Sequence, residues 1–297
     1  MAVTLMRHEE VPTSRSFTNA AQPCTVCELR RGDENEVLEF LALRPLHTVF
    51  MGGLIRDNGI TSPRNRGSFY ACRGTFGQLE GVALMGHATL MEAASESSIA
   101  QFALLARNCQ SAHLIRGERE VVGNFWKYYA GDRVDARRVC SEILLEKHKP
   151  VLAETMNELR RASLDDLEKV LAVNALMAFE EGGISPLQKD PGGFRRRTSR
   201  RIEQGRIWVW IEDNRLMFKA DIIAATPQAV YLEGVYVHPE ERRKGHGLRC
   251  LNQLSATLLR ETESLCLTTN EKNQNALKFY EKAGYEIRSH YETIYLR

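Results

Sequence analysis

The amino-acid sequence predicts a mixed α/β protein built from two domains of similar architecture. A chain of 297 residues is long for one compact core. Its 43% hydrophobic and 26% charged residues are ordinary values for a globular protein. One order of predicted elements, strand, helix, hairpin, then further strands and helices, occurs twice and restarts near Pro150. We therefore predict a flexible arm at residues 1–20, a first domain at 21–150 and a second domain at 151–297.

Charge and hydropathy exclude several classes of function for the chain as a whole. The formal net charge of +2 gives no general basis for binding nucleic acid or an anionic membrane. No apolar run approaches the length that spans a bilayer, and the acidic start of the chain does not resemble a secretory signal. We therefore expect a soluble cytoplasmic protein.

The cysteines predict reduced thiols and no metal site. There are seven of them, an odd number scattered through apolar segments. Cys24 and Cys27 form one C-x-x-C pair, but no second pair or nearby histidine completes a tetrahedral set. A redox role for this pair is the remaining alternative.

In the first domain, alternating and helical patterns predict four strands and several helices. The segments SFYAC and LEGVALMG form a hairpin around the turn at residues 74–77. The other predicted elements are a strand from Cys24, a helix at 35–43, a turn or second short helix at 47–54, helices at 98–107 and 118–129 around the short run SAHLI, and a closing strand VCSEILLEK.

In the second domain, a predicted strand NELRRAS leads into a long helix. Ser163 and Asp166 form a capping box at its start, and Gly182 with Gly183 ends it. The strands RIWVWIED and RLMFKADIIA form a hairpin around residues 213–214. The predicted inward face of the long helix is Leu164, Leu167, Val170, Leu171, Met177 and Ala178.

The most informative stretch is a strand that ends at Val237 and leads through a glycine-bearing turn into a helix. Gly245 and Gly247 let the backbone approach an anion at the helix start, where unpaired N–H groups and the helix dipole favour negative charge. Arg243 and Lys244 add positive charge. The missing Ser or Thr after a lysine excludes a P-loop, and the Rossmann glycine spacing is absent, so we expect neither ATP nor NAD.

Arg242, Gly245 and Gly247 form an Arg-x-x-Gly-x-Gly pattern that resembles the acyl-CoA pyrophosphate loop of the GNAT N-acetyltransferase family. A second stretch, about thirty residues on, is similar to that family's second cofactor segment, N-x-x-A-x-x-x-Y-x-x-x-G-[FY]. The positions that match this second pattern are Asn273, Ala276, Tyr280, Gly284 and Tyr285.

The whole chain also looks like a GNAT subgroup that carries an amino-terminal domain of unknown function. The phrases LRPLHTVFMGGL, FEEGGISPL and LEGVYVHP carry this wider resemblance. It implies two tandem GNAT-like domains, each a mixed, mostly antiparallel sheet flanked by helices. Because the first domain has ATLMEAASESS in place of the loop, its cofactor site is expected to be degenerate.

The resemblance implies acetyl-CoA as co-substrate and direct transfer of its acetyl group, without a metal or a covalent enzyme intermediate. Main-chain groups at Tyr236 and Val237, beside a bulge, would pair with the acyl carbonyl and the pantetheine arm. The full predicted cofactor-binding set is Tyr236, Val237, Arg242, Arg243, Lys244, Gly245, His246, Gly247, Asn273, Ala276 and Phe279.

Two side chains are the predicted catalytic groups. The resemblance assigns the general acid to Tyr280, whose phenol would protonate the departing thiolate; the alternative is that Tyr280 only packs in the core. Glu233 is the predicted general base, because burial on the strand before the loop would raise its pKa; the alternative is an exposed carboxylate. Glu180, Glu181 and His238 are reserve bases, and a water relay would need no single base.

Two other features have competing interpretations. The arginine-rich segment is interpreted as a solvated helix face rather than a nucleic-acid patch, since no aromatic residues are interleaved with it. Pairing with an acidic acceptor or with the 3′-phosphate of the coenzyme is its alternative role. Trp208 and Trp210 belong to the core or line an acceptor pocket. The arginines concerned are Arg195, Arg196, Arg197, Arg200 and Arg201.

The sequence thus predicts an N-acetyltransferase that acts on a primary amine of a small molecule or protein. The acceptor itself is not readable from the sequence, because acceptor contacts lie on variable loops. A non-catalytic acyl-CoA sensor is the alternative function. We expect no nucleic-acid or membrane partner, and a second copy of the chain is a candidate partner.

Overall fold

A computed structural model describes residues 24–131, 135–151 and 155–297, and the predicted arm at 1–20 lies outside them. Within the described residues, the strands form one twelve-stranded sheet with helices on both faces. The strands are β1 (Thr25–Glu28), β2 (Gly67–Arg73), β3 (Leu79–Gly86), β4 (Ala88–Ala93), β5 (Leu114–Glu118), β6 (Ala136–Lys147), β7 (Arg160–Arg161), β8 (Ile207–Glu212), β9 (Arg215–Ala225), β10 (Ala229–Val237), β11 (Ser264–Asn270) and β12 (Glu286–Leu296).

Helices pack against apolar side chains on both sides of the sheet. One side, the first face, carries α1, α2, α5 and α7, and the other, the second face, carries α3, α4, α8 and α9. The helices are α1 (Glu34–Ala42), α2 (Pro45–Asn58), α3 (Glu96–Ala106), α4 (Arg119–Ala130), α5 (Leu167–Gly182), α6 (Pro186–Lys189), α7 (Pro191–Glu203), α8 (His246–Leu258) and α9 (Gln274–Lys282). The described part of the chain contains no helix of the length and apolarity required to cross a membrane.

The local signals that the sequence carries are largely confirmed. Ser163 N donates to Asp166 Oδ2 at 2.8 Å in the predicted capping box. Asp213 and Asn214 have φ of 45° and 61°, as the tight turn of a β8–β9 hairpin requires. The prediction that Leu164 faces inward is wrong. Leu164 is 51% exposed, because it lies in a 3-10 turn before α5 begins.

Two elements differ in length from their predictions. The short helix predicted at residues 47–54 is α2, a helix of 14 residues that begins at a proline. The strand predicted over NELRRAS pairs over two residues only, as β7. In both cases packing against the sheet determines the length of the element, and local sequence propensity does not predict that length.

The closing strands of the two halves are interleaved. In the sheet, β12 lies between β5 and β6, and β6 lies between β12 and β11. Both β12 and β6 are antiparallel to their neighbours. Each half therefore contributes its last strand to a position beside the other half, and one sheet runs across the boundary that the sequence predicts near residue 150.

Parallel pairing occurs at two places in the described sheet, and both pairings are short. β4 pairs with β5 over two residues, and β10 pairs with β11 over three, from Ala229 with Ser264 to Tyr231 with Cys266. Beyond Tyr231, the remainder of β10 has no ladder to β11. The two strands thus leave an opening between them, and this opening leads to the turn after Val237.

Candidate active site

The turn between β10 and α8 exposes backbone amides at the start of a helix. Gly245 is the N-cap of α8 with φ of 88°, and Arg249 N donates to Gly245 O at 3.1 Å. The amides of residues 246–248 precede this bond and have no acceptor within the helix. A Cβ added to Gly245 would meet no atom within 4 Å, so the space beside it is open. The turn fits an anionic group such as a diphosphate.

Gly247 has a different role from Gly245. A Cβ added at Gly247 would lie 2.5 Å from Val237 Cγ2, closer than real Cβ contacts allow. Its glycine lets the first turn of α8 pack against the end of β10. One glycine of the predicted pair therefore opens the turn to solvent, and the other holds the helix against the strand.

The charged side chains of the turn are partly paired with each other. Lys244 Nζ lies 2.9 Å from Glu241 Oε1, and His246 Nδ1 lies 2.7 Å from Glu241 Oε2. These hydrogen bonds hold the pKa of Glu241 below its usual range. Arg242 Nε donates to Val237 O at 3.1 Å, while Arg243 has an exposed side chain and φ of 67°. The turn is basic, and Arg243 extends into solvent.

A β-bulge interrupts β10 at the predicted place. The register against β9 shifts between Glu233 and Tyr236, and Gly234 has φ of 60°. Lys219 Nζ, fully buried, donates to Gly234 O at 2.8 Å and holds the bulge. Because the bulge adds one residue, Glu233 lies on the first face, while Val235 packs into the core of the second face.

The second motif forms α9 and places Tyr280 in the core of the second face. Asn273 Oδ1 accepts from Ala276 N at 3.1 Å, so Asn273 caps the helix. Ala276 and Phe279 are half-buried beside Tyr280, which is 8% exposed. The Tyr280 ring lies 5.4 Å from that of Phe279. Burial, and then the nearby Glu181 carboxylate, raise the pKa of the Tyr280 phenol well above its usual value, so the phenol is protonated at neutral pH.

Glu181 is the carboxyl whose titration the site alters most. It lies near the end of α5, over the part of the sheet that carries Glu233. The residue is exposed to solvent, with protein atoms packed on its inner side. Desolvation, followed by repulsion from Glu233, raises the pKa of Glu181 to about 7, and Arg116 opposes the rise. A carboxyl that titrates near neutrality suits a general base.

Arg116 reaches this region from β5, in the other half of the chain. Its guanidinium donates to Tyr231 Oη at 2.8 Å and also to Thr268 Oγ1. It lies 3.3 Å from Glu142 Oε1 and 3.9 Å from Glu233 Oε1. One side chain thus joins β5, β6, β10 and β11 beneath the opening.

Sequence reasoning missed Arg116 and ranked Glu181 only as a reserve. Neither residue belongs to a motif, and Arg116 lies 117 positions before Glu233 in the chain. The pairing of β5 with β12 and of β12 with β6 brings Arg116 into place, and no local pattern encodes it. For Glu181 the only sequence signal is its position beside the glycines that end a helix.

The other two reserve bases, Glu180 and His238, have different surroundings. Glu180 has an exposed side chain, and its carbonyl accepts from Arg138 Nη1 at 3.3 Å. His238 Nδ1 accepts from Glu240 N at 3.3 Å, within the turn before α8. Glu181, Glu233 and Glu142 are carboxyls that the first face brings near Arg116.

The arginine-rich segment forms α7, and several of its side chains pair with neighbours. Arg195 pairs with Glu168, and Arg197 Nη1 lies 3.1 Å from Asp190 Oδ2. Arg201 Nη1 lies 3.6 Å from the buried Asp221. These arginines hold α7 to its surroundings, in agreement with a helix face rather than a nucleic-acid platform.

Trp208 and Trp210 lie on the second face of the sheet, opposite to Glu233. Both pack with the core of the second face, and Trp210 is 4% exposed. The Arg161 guanidinium lies over the Trp208 ring, 5.6 Å from its centroid. Core packing is therefore their role, and the acceptor-pocket interpretation is not supported.

The described cysteines are free thiols. Among the described residues, no group of three or more His, Cys, Asp or Glu side chains is placed to hold a metal ion. Cys24 Sγ lies 3.5 Å from Ser97 Oγ, and Cys27 is exposed on β1.

Comparison with known proteins agrees with this geometry. Residues 203–287 match the sequence model of the acetyltransferase (GNAT) domain. The match begins at the end of α7 and runs through the glycine turn and α9 to the start of β12. No curated protein matches the chain in sequence.

Solved structures resemble the fold over nearly the whole chain. A Drosophila protein superposes with a TM-score of 0.67 at 13% identity, covering 92% of this chain and 98% of its own. A tandem GNAT protein from the clavulanic acid biosynthesis pathway gives 0.54 at 14% identity, covering 91% and 98%. A GNAT-family acetyltransferase from Colwellia psychrerythraea gives 0.54 at 10% identity, covering 92% and 100%. Identities this low show the fold alone. Residues 203–287 thus match a GNAT acetyltransferase domain, and the fold of the chain is similar to that of a tandem GNAT protein.

Proposed function

We propose that the protein transfers the acetyl group of acetyl-CoA directly to a primary amine of a small molecule or protein. The observation that supports this proposal is the opening between β10 and β11 that leads to the glycine turn, together with the electrostatic coupling of Glu181 to both Tyr280 and Glu233. A protonated phenol and a carboxyl with a pKa of about 7 are the acid and base that amide formation from a thioester and an amine needs.

The residues along the opening fit acetyl-CoA, which supplies the activated acetyl thioester. The amides that follow Gly245, with the exposed Arg243, would hold the diphosphate. The edge of β10 at Tyr236 and Val237, which has no ladder to β11, would bind the extended pantetheine arm by main-chain hydrogen bonds. Ala276 and Phe279 would contact the arm from α9, whereas Asn273 acts through the helix that it caps.

Two proton transfers then balance the reaction. As the amine nitrogen bonds to the acetyl carbon and the carbon–sulfur bond breaks, Tyr280 gives its phenolic proton to the departing sulfur. Glu181 accepts the proton that the amine loses. Proton exchange with solvent restores both groups.

Glu233, the base that the sequence predicts, remains a candidate beside Glu181. The Arg116 guanidinium lies 3.9 Å from Glu233 Oε1. Glu233 would attract a cationic amine, which loses one proton to solvent before its neutral form attacks, and repulsion from Glu233 raises the pKa of Glu181. We therefore propose Glu181 as the proton acceptor and Glu233 as the residue that positions the amine.

Calorimetric titration with acetyl-CoA, followed by a thiol-release assay against a panel of amines, tests the proposal. We expect saturable binding and amine-dependent release of free thiol. Binding without turnover on any amine would favour the acyl-CoA sensor. Absence of binding would remove both functions.

A further inference from the structure

A second group of basic side chains lies at one end of the sheet, away from the glycine turn. The basic cluster consists of Arg66, His87, His113, Lys189 and Arg197. Its first three members follow one another across the sheet: His87 N donates to Arg66 O at 2.9 Å, and His113 N donates to His87 O at 3.0 Å. Both histidines directly precede a strand, β4 or β5, of the first half.

The remaining members come from the second half and lie over the histidines. Lys189 Nζ lies 3.2 Å from His113 Nε2, and the His87 and His113 rings are 4.7 Å apart and nearly perpendicular. With Lys189 as the donor, His113 Nε2 is an acceptor and the ring is neutral. The segment from α6 to α7 thus brings cationic side chains onto a pair of neutral imidazoles.

The cluster has an excess of positive charge. Asp190 is the acidic residue within it, and this carboxylate already accepts from Gly193 N at 2.8 Å and pairs with Arg197 at 3.1 Å. Burial, followed by the charges of Arg66, His113, Lys189 and Arg197, lowers the pKa of His87 to about 3. Burial, then Lys189 and Arg66, also lowers the pKa of His113. Cationic and N–H groups gathered in this way lack a full complement of anionic acceptors.

We propose that the basic cluster is a binding site for an anionic group, a phosphate or a carboxylate, of a small molecule. Lys189 and Arg66, both exposed, would contact its oxygens, and protonation of the imidazoles would add donors. The site joins the two halves, because its residues come from β-strand ends of one half and from α6–α7 of the other.

The basic cluster lies near Arg116 and therefore near the proposed site for the amine. His113 precedes Arg116 by three residues along β5, about 10 Å at the rise of an extended strand. The anionic group is therefore either part of the amine acceptor, an assignment that rests on the proposed function, or a separate small anion. In either case the basic cluster would bind the same kind of anionic oxygen atoms.

Titration of the full chain with inorganic phosphate, followed by the imidazole signals of His87 and His113 in NMR, tests the site. We expect saturable binding with a Kd on the order of 1 mM and higher pKa values for both histidines in the bound state. Lys189→Gln and Arg66→Gln should each weaken binding about fivefold. Arg195→Gln, the same charge change on α7 beside Glu168, is the matched control and should leave binding unchanged.

Unsaturable binding, or equal binding by wild type, Lys189→Gln and Arg66→Gln, would overturn the proposal. Acetyl-transfer kinetics then identify the source of the anion. If the acceptor carries it, phosphate and Lys189→Gln both raise KM for an anionic amine but not for a neutral analogue. If the anion is separate, neither KM changes. A protein that acetylates no amine contradicts the proposed function, while the phosphate titration still decides the site.

Discussion

The two strand-to-helix turns of the molecule show how one topology gives an anion site in one half and none in the other. In the first half, Ser95 caps α3, and its Oγ accepts from Ser98 N at 3.2 Å. Glu96 adds a carboxylate to the same first turn. In the second half, the cap of α8 is Gly245, which has no side chain. The serine cap satisfies one amide of the first turn and Glu96 adds negative charge beside the others, whereas a glycine cap leaves the amides open to an anion.

The gap between β4 and β5 beside the first turn is filled, whereas the gap between β10 and β11 beside the second turn is open. In the first half, Arg44, the N-cap of α2, pairs with Glu92 of β4 at 3.1 Å and with Glu118 of β5 at 2.7 Å. This ion-pair network joins the two strands where their parallel pairing has ended. The first half thus fills with its own side chains the position that the second half leaves open, which supports the expected loss of its cofactor site.

The largest expected effect comes from adding a side chain to the open turn. We expect Gly245→Asp to reduce acetyl-CoA affinity by more than about 100-fold, because a carboxylate would occupy the space of the phosphate oxygens at a residue with φ of 88°. Calorimetric titration measures this. Ser95→Asp, the matched change on α3, should leave affinity unaltered, and equal affinities for both variants would disprove the site.

Removing one hydroxyl should separate chemistry from binding. Tyr280→Phe keeps the packing of the ring and loses the proton donor, so we expect kcat to fall about 100-fold with little change in acetyl-CoA affinity. Steady-state kinetics and titration of one preparation give both numbers. An unchanged kcat would mean that Tyr280 only packs in the core.

The pH dependence should distinguish the two carboxyls. Glu181 has to be deprotonated to accept a proton, so kcat/KM should rise with pH through about 7. Glu181→Gln should remove this rise and lower kcat/KM at least about 10-fold. Glu233→Gln should move the rise to lower pH, since Glu233 raises the pKa of Glu181. Loss of the rise in Glu233→Gln instead would make Glu233 the base.

Arg116 should shift the same profile in the opposite direction. Its charge lowers the pKa of Glu181, so Arg116→Gln should move the rise to higher pH. Arg116→Lys keeps the charge and should leave the rise close to its wild-type position. This shift reports on the contribution of the first half to the site, and identical profiles for Gln and Lys would deny Arg116 any electrostatic role.

The smallest expected effect is on stability and comes from removing the serine cap of α3. Ser95→Ala should lower the free energy of unfolding by about 1 kcal/mol, because the cap of Ser98 N is lost. Denaturant titration measures this change. Acetyl-CoA affinity should not respond, and a weakened affinity would show that the first half takes part in cofactor binding.

The sequence predicts what is local and misses what is assembled. The capping box at Ser163, the turn at Asp213 and the glycine turn at Gly245 each depend on residues that are close in the chain, so their patterns are visible. Arg116 and Glu181 meet only after distant strands and helices pack, and periodicity carries no signal for that. Leu164 follows the helical period but precedes the helix, so the pattern assigned it to the wrong side.

The interleaving of β12 between β5 and β6 has a consequence for folding. Leu114 of β5 pairs with Tyr295 of β12, a separation of 181 positions, and such distant pairing slows folding through the entropy of closing a long loop. Residues 21–150 produced alone would leave one edge of β5 and both edges of β6 unpaired, and unpaired edges are templates for aggregation. The halves are thus partners in a single folding event, and expressing them separately should yield insoluble fragments that become soluble when both are synthesised together.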